Sequence, residues 1–505
     1  MNRKLKIVIS ALLVLLYSCK SKTEPEAITK PNIVIIYLDD LGYGDLSAYG
    51  ATEINTPNID KLANGGVRFT QGYATSATCT PSRYALLTGE YPWRNQGAKI
   101  LSGSAPLIID TAKATLPRIF KKAGYHTGIV GKWHLGLGNG NLDWNKEINP
   151  GPNQVGFDYS VILAATQDRV PTIYIENGYG LNLDKNDPIY VSYEKNFEGE
   201  PTGKDNPELT KMKWHHGHNN SIVNGIPRIG FMKGGKSAHW SDVDMADFFL
   251  NKATQYVKAH KDKPFFLYYA LQQPHVPRTP NPRFVGKSGM GPRGDAILEA
   301  DWCIGEFVKA LETAGILENT LIVFSSDNGP ALNDGYFDDA VEKIGKHKPS
   351  GVLRGGKFSL FDAGTRVPLF TYWKGKIKPK VSDALVCQID FISSFAKLVD
   401  ISLPETDSKD MLDVLLGKSN QGRENLVIEA NSKLAFRKGG WVYIPPYPEV
   451  DPIKTNKNIE TGCDSVSQLY NLNTDIGQQH SLVKSHPEKL KELMETYQQV
   501  IKVKE

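Results

Sequence analysis

The apolar positions of this chain fall into short continuous runs separated by longer stretches of helical periodicity. Asn32–Leu38 is a nearly unbroken apolar run, the pattern of a strand buried on both faces in a parallel sheet. Comparable runs follow at residues 264–271, through Phe265, Phe266, Leu267, Tyr268 and Tyr269, and at residues 321–325; residues 127–130 read as a further strand. Between them, Ile297, Ala300, Ile304, Phe307, Val308 and Leu311 share one helical face. Residues 241–260 read as a helix opened by Ser241 and Asp242 as its cap. Helix alternating with strand predicts an α/β fold, a large, mostly parallel sheet sandwiched by helices. Residues 139–235, rich in Gly, Asn and Pro, read as long loops over one sheet edge, where substrate selection usually resides. Beyond about residue 375 the segments shorten. Residues 436–444 and 467–472 read as antiparallel strands, and Pro487–Lys502 as a terminal helix. The pattern predicts a main domain over residues 31–375 and a smaller C-terminal α+β subdomain, with a short antiparallel sheet, over residues 376–505.

The first residues carry Arg3, Lys4 and Lys6 ahead of an apolar run over residues 7–16, too short to span a bilayer. Leu16-Tyr17-Ser18-Cys19 resembles a bacterial lipobox. This predicts a signal peptide over residues 1–18, lipidation of Cys19 and a polar tether over residues 19–30. An ordinary cleaved signal with an incidental cysteine is the alternative. On the first reading the protein is exported to the periplasm or cell surface, and its lipid is its only attachment to a membrane. A chain of 505 residues, 40% hydrophobic and 23% charged, is long enough for sizeable cores. Its net charge of +4 falls to +1 without the three cations of residues 1–18, which argues against a nucleic-acid partner. Cys303, Cys387 and Cys463 permit at most one disulfide.

Candidate chemistry gathers at strand ends. Asp39 and Asp40 follow the first strand, and Asp327 and Asn328 follow the strand at residues 321–325. In an open parallel sheet ligands collect there. Three carboxylates and an amide oxygen suit Ca²⁺ or Mg²⁺. Taken singly, either pair reads equally as a turn cap. Lys132 and His134, two apart on an extended segment, are expected on one side, a fixed cation beside a titratable imidazole. His275 is flanked by Pro274 and, one residue further, Pro277; Lys357 follows Gly355 and Gly356, which allow close backbone approach. In Cys79-Thr80-Pro81-Ser82-Arg83, Pro81 suits the first turn of a helix. Cys79 then stands at the helix N-terminus, where anions are favoured, with Arg83 in reach of an anion or nucleophile.

The order of these motifs resembles the type I, formylglycine-dependent sulfatases of the alkaline phosphatase superfamily. Cys79-x-Pro81-x-Arg83 is similar to their C-x-P-x-R sequence. Supporting phrases are Asn55-Thr56-Pro57-Asn58-Ile59-Asp60, Leu86-Leu87-Thr88-Gly89, Gly131-Lys132-Trp133-His134-Leu135-Gly136 and Thr365-Arg366-Val367-Pro368. Likeness is clear over residues 31–375 and weaker beyond. The chain departs at Glu90, where many relatives have arginine, and at Phe361-Asp362-Ala363-Gly364.

The resemblance implies that Cys79 is oxidised to formylglycine by a maturation enzyme and hydrates to a geminal diol. It implies one Ca²⁺ held by Asp39, Asp40, Asp327 and Asn328. Arg83 and Lys132 would steady the nucleophile, His275 with Lys357 would neutralise the leaving oxygen, and His134 would help the aldehyde re-form. The implied activity is sulfuric ester hydrolysis on a sulfated glycan, most like the arylsulfatase and N-acetylgalactosamine-sulfatase types. The expected sugar is galactose or N-acetylgalactosamine, with 4-O-sulfate slightly ahead of 6-O-sulfate. Asp168, Arg169, His215, His216 and His218 are candidate sugar readers; a surface patch or adventitious metal site is the other reading of the histidines. Rival functions are an arylsulfatase acting on small esters, a phosphoester or phosphonate hydrolase with two zinc ions, and a lipoprotein that binds sulfated glycans without cleaving them.

Overall fold

The computed structural model describes residues 30–448 and 459–502. Ten strands make one sheet: β1 (Asn32–Leu38), β2 (Val67–Tyr73), β3 (His126–Lys132), β4 (Tyr159–Leu163), β5 (Ile175–Glu176), β6 (Tyr179–Gly180), β7 (Phe265–Ala270), β8 (Thr320–Ser326), β9 (Leu369–Tyr372) and β10 (Lys380–Cys387). They lie in the order β10-β2-β9-β8-β1-β7-β3-β4-β5-β6. The centre, from β8 to β4, is parallel. β9 runs against both its neighbours, and β5 and β6 turn back at the far edge.

Why β1 reads as a continuous apolar run is visible in its packing. Strand side chains alternate between faces. Ile33, Ile35 and Tyr37 join one core with Phe120, Phe266 and Phe395. Val34, Ile36 and Leu38 join another with Leu62, Phe249, Ile297 and Phe307. Helices Cys79–Thr88, Leu116–Lys122 and Phe391–Leu398 supply the first core; Pro57–Gly65, Met245–His260 and Gly291–Thr313 supply the second. Each large apolar side chain buried this way contributes roughly 1.5–3 kcal/mol. This is the mostly parallel, helix-covered sheet of the alkaline phosphatase-like fold.

Asn425–Ala430, Lys433–Lys438, Trp441–Ile444 and Gln468–Asn471 form a separate antiparallel sheet. Helix Pro487–Lys502 lays Leu493 and Tyr497 against it. The first of these strands reaches the main domain, where Ala77 N–H donates to Glu429 O at 2.8 Å and Ser76 bridges Glu429.

Several expectations change. The sheets part later than residue 375, because β10 still pairs with β2 in the large sheet and the small sheet starts at Asn425. Residues 139–235 are not loops alone: β4 extends the parallel sheet, and short hairpins fill much of the rest. The strand expected over residues 436–444 is two strands of a hairpin. The helix expected from Ser241 starts at Met245, and Asp242 is buried against Arg228 instead of capping. The proposed signal peptide, Cys19 and residues 19–29 of the tether lie outside the described residues. Among the described residues, no helix is long and apolar enough to cross a membrane.

Candidate active site

Parallel register brings the acidic strand ends together. Leu38 of β1 pairs with Ser326 of β8, so Asp39-Asp40 and Asp327-Asn328 leave the sheet side by side. β7 and β3, next in order, deliver His275 and Lys132. Gly131 is needed where β3 presses on β7, since a Cβ there would lie 1.9 Å from Ala270 O. Helix Cys79–Thr88 begins at Cys79, so the thiol stands among the N-terminal N–H groups, as expected; Arg83 opens the second turn, one step beyond the first turn. Lys357 enters from a loop anchored by its N–H to Pro330 O at 3.0 Å. All nine of these site side chains, from Asp39 to Lys357, are buried.

Arg83 donates from Nε and Nη2 to Asp327 Oδ2, at 3.0 and 2.8 Å, and from Nη1 to Tyr268 OH at 3.2 Å. Lys132 Nζ bonds Asp39 Oδ2. Lys357 Nζ lies 2.9 Å from Asp40 Oδ2 and 3.1 Å from Asp334 Oδ2. His275 directs Nε2 at Asp40 Oδ2, 3.8 Å away, and holds Nδ1 2.7 Å from Val276 O. His134 does not continue an extended strand. Its φ is +55°, a left-handed conformation costly for a non-glycine residue, and its Nε2 lies 3.0 Å from Leu101 O. The expected strand alternation of Lys132 and His134 therefore fails, although both are buried in the site.

Charge follows from burial and partners. Burial raises the Asp39 pKa well above its ordinary value, helped by Asp327 and opposed by Lys132. Burial works the same way on Asp327, but Arg83 and Lys132 outweigh it and hold the carboxyl down. Burial and the neighbouring lysines push both His134 and His275 well below the usual imidazole range, so both rest neutral. Burial opposes the Lys357 ammonium, yet Asp40 and Asp334 keep its pKa well above the usual lysine range. Burial also raises the Cys79 thiol, against Lys132 and Lys357. Nucleophilic cysteines have depressed pKa values; unmodified Cys79 is poorly suited to thiolate attack.

The donor set suits a hard cation. Asp39 Oδ1 and Asn328 Oδ1 are buried without a hydrogen-bond partner. Oxygens of Asp39 and Asp40 lie within 4.8 Å of each other and of His275, and Asp39, Asp327 and Cys79 cluster equally closely. Orphaned buried oxygens among carboxylates are costly unless a cation fills the gap.

Of the candidate sugar readers, three come together. Asp168 Oδ2 meets His218 Nε2 at 2.9 Å, and Asp168 Oδ1 accepts from Arg169 Nη1 at 2.9 Å. Burial opposes the Asp168 charge, but Arg169 and His218 hold its pKa well below the ordinary value. His215 and His216 are half-buried at the rim, with the His216 ring 6.0 Å from that of His218 and the His215 ring 4.8 Å from that of Phe337. Among the described residues, the clusters able to hold a metal do not include these histidines. Glu90, the departure at Leu-Thr-Gly, accepts from Tyr84 OH at 2.7 Å and Lys113 Nζ at 2.8 Å. Sequence reading missed Asp334, the second partner of Lys357, and Tyr268, which looks like core in the run of β7. Neither carries a local signal.

A buried set of carboxylates, fixed cations and histidines beyond the strand ends of such a sheet defines a hydrolase site for anionic esters. The chain belongs to the sulfatase family, whose profile, described as "Sulfatase", matches residues 31–401, and it is a sulfatase. It is 49% identical over 496 residues to an N-acetylgalactosamine-6-O-sulfatase of Bacteroides thetaiotaomicron, covering 97% of each chain. It is 30% identical to human arylsulfatase A, covering 90% of this chain and 83% of that one. A solved structure described under the metabolism of multiple glycosaminoglycans by Bacteroides thetaiotaomicron superposes with a TM-score of 0.92 at 50% identity, covering 94% of this chain and 99% of that one.

Proposed function

We propose that this sulfatase removes the 6-O-sulfate of N-acetylgalactosamine, in a sulfated glycan, from a formylglycine made at Cys79. Sequence alone put position 4 slightly ahead; the 49% identity to a 6-O-sulfatase over nearly the whole chain moves the proposal to position 6. The observation that carries the chemistry is the setting of Cys79: buried at a helix start, it lies near Lys132, Lys357, Asp327 and Asp39, and one Asp39 oxygen is buried without a hydrogen-bond partner.

Asp39, Asp40, Asp327 and Asn328 would hold Ca²⁺, which when bound supplies Lewis-acid charge to a sulfate oxygen. Formylglycine, as its hydrate, supplies a nucleophile whose second hydroxyl offers an internal route for releasing sulfate. The chain's own residues do the rest. Arg83 keeps Asp327 ionised and fixes the end of β8 beside the first helical turn. Lys132 orients Asp39 and adds positive charge on the nucleophile's side. Lys357, held cationic by Asp40 and Asp334, faces the charge that develops on the departing sugar oxygen. His275, neutral and donating from Nδ1 to Val276 O, leaves Nε2 bare, so it would take up a proton there before handing it to the departing oxygen. His134, neutral, offers its buried Nδ1, which lacks a partner, as a base for the closing step. Asp168, Arg169 and His218 would read the sugar hydroxyls beside the sulfate, because a buried carboxylate, guanidinium and imidazole supply fixed donors and acceptors.

The enzyme would act outside the cytoplasm on a lipid at Cys19, a reading supported by Arg3, Lys4, Lys6 and the apolar run of residues 7–16. A panel of 3-, 4- and 6-sulfated monosaccharides, given to protein matured in a host with a formylglycine-generating enzyme, tests the activity. Sulfate release from N-acetylgalactosamine 6-sulfate ahead of the 4-sulfate is the expected result. Activity confined to glucosamine sulfates, or none on any sugar sulfate, would overturn it.

A further inference from the structure

Arg278 is buried, and none of its hydrogen bonds goes to a group that the proposed reaction uses directly. Its Nε donates to Pro274 O at 3.0 Å, next to His275. Its Nη2 donates to Ala331 O at 2.7 Å, and its Nη1 to Leu332 O at 3.0 Å and Asp338 Oδ2 at 2.9 Å. The segment it grips is the one that holds Lys357: Pro330 O accepts the Lys357 N–H, and Asp334 Oδ2 accepts from its ammonium at 3.1 Å. One guanidinium thus ties the turn that carries His275 to the loop that fixes Lys357. From the other side, Glu299 accepts from Gln273 Nε2 and Asn281 N–H, both at 2.9 Å, so the turn is held at its ends as well.

We propose that Arg278 is a positioning residue that sets His275 and Lys357 at a fixed separation on the leaving-group side of the site. The proposal rests on the reading of that pair as the groups that neutralise the departing sugar oxygen. Arginine is required by geometry: three carbonyls and a carboxylate lie in directions that a planar fork meets together and a lysine ammonium does not. Movement of either group by an ångström is enough to cost rate while leaving the sulfate's own contacts alone.

The test compares Arg278→Lys, Arg278→Gln and Asp338→Asn with wild type, as matured full-length enzyme, on N-acetylgalactosamine 6-sulfate. Calcium content, formylglycine occupancy and melting temperature are measured on the same samples. Arg278→Lys is expected to lower kcat about tenfold or more per formylglycine with KM within about twofold, and Arg278→Gln further still. Asp338→Asn, which leaves the carbonyl bonds in place, is expected to lose less. Arg423→Lys is the control, a buried arginine paired with Asp390 away from the site; it should lower the melting temperature and keep kcat. Unchanged kcat in folded Arg278→Lys overturns the proposal. So does a loss confined to KM, or an equal kcat loss in the control. If Arg278→Gln does not fold, Arg278→Lys decides. Wild-type kcat in His275→Ala or Lys357→Ala would bring down the reading beneath, and the proposal with it.

Discussion

Arg83 and Asp327 meet through a single oxygen: two guanidinium nitrogens, Nε and Nη2, donate to Oδ2, while Oδ1 is left to the Asp40 N–H at 3.3 Å. Neither side chain is exposed to solvent. The pair therefore ties the helix that starts at Cys79 to the end of β8 and keeps one carboxylate ionised beside a second, Asp39, that burial drives toward neutrality.

Removing one partner of such a pair leaves an uncompensated buried charge. Arg83→Met is expected to cost about 3–5 kcal/mol of stability, and Arg83→Lys less, because charge is kept while a donor is lost. Urea unfolding of the two variants beside wild type checks this. Equal stability for Arg83→Met and wild type would mean that Asp327 is compensated elsewhere.

Cys79→Ala should abolish sulfate release and leave circular dichroism and melting temperature close to wild type, since the side chain is small and belongs to none of the hydrophobic cores. Residual turnover at more than a trace would place the nucleophile on another residue.

A divalent cation that binds only the folded protein should stabilise it by about 2.7 kcal/mol at a hundred times its Kd, and so raise the melting temperature in a concentration-dependent way. EDTA should reverse this and stop turnover, and calcium should restore both. Asp39→Asn removes one charge from the oxygen set, and its melting temperature should respond far less to calcium. Equal calcium responses in the variant and wild type would exclude Asp39 as a ligand.

Burial raises the Glu429 carboxyl from its ordinary 4.5 to about 7, partly offset by Ser76 and the Ser432 N–H. Between those values the native state keeps a proton that the unfolded chain has lost. Stability is therefore full below about pH 4.5 and falls as pH rises toward about 7, by at most about 1.4 kcal/mol per pH unit for this one group. Glu299, raised to about 7 chiefly by burial, acts in the same direction. Glu429→Gln removes this one titration and keeps an acceptor for Ser432. Its unfolding midpoint should gain on wild type between pH 5 and pH 8; a constant difference across that range would count against the buried-acid assignment.

The fold and most of the site were legible because their signals are local. β1 and helix Pro487–Lys502 fall where their patterns predict, and the strand-end carboxylates converge because β1 and β8 are parallel neighbours in register. What escaped is what depends on distant parts of the chain. Asp334 meets Lys357 across 23 residues, and Arg278 meets Asp338 across 60. Tyr268 hides its hydroxyl in an apolar strand, where only the partner, Arg83, reveals its role. The cap expected at Asp242 failed because a buried guanidinium, Arg228, outcompetes a helix end for the carboxylate. His134 was placed in the site by resemblance, yet the strand geometry offered for it is absent, since the chain turns left-handed there.

The bridge between Ser76 and Glu429 also sets a clock. Its two halves leave the ribosome 353 residues apart, and N-terminal segments are made first. Until the later strand arrives, Ser76 and Ala77, just before Cys79, lack their pairing partner. A shortened protein lacking the small sheet would leave those two residues without their partners throughout.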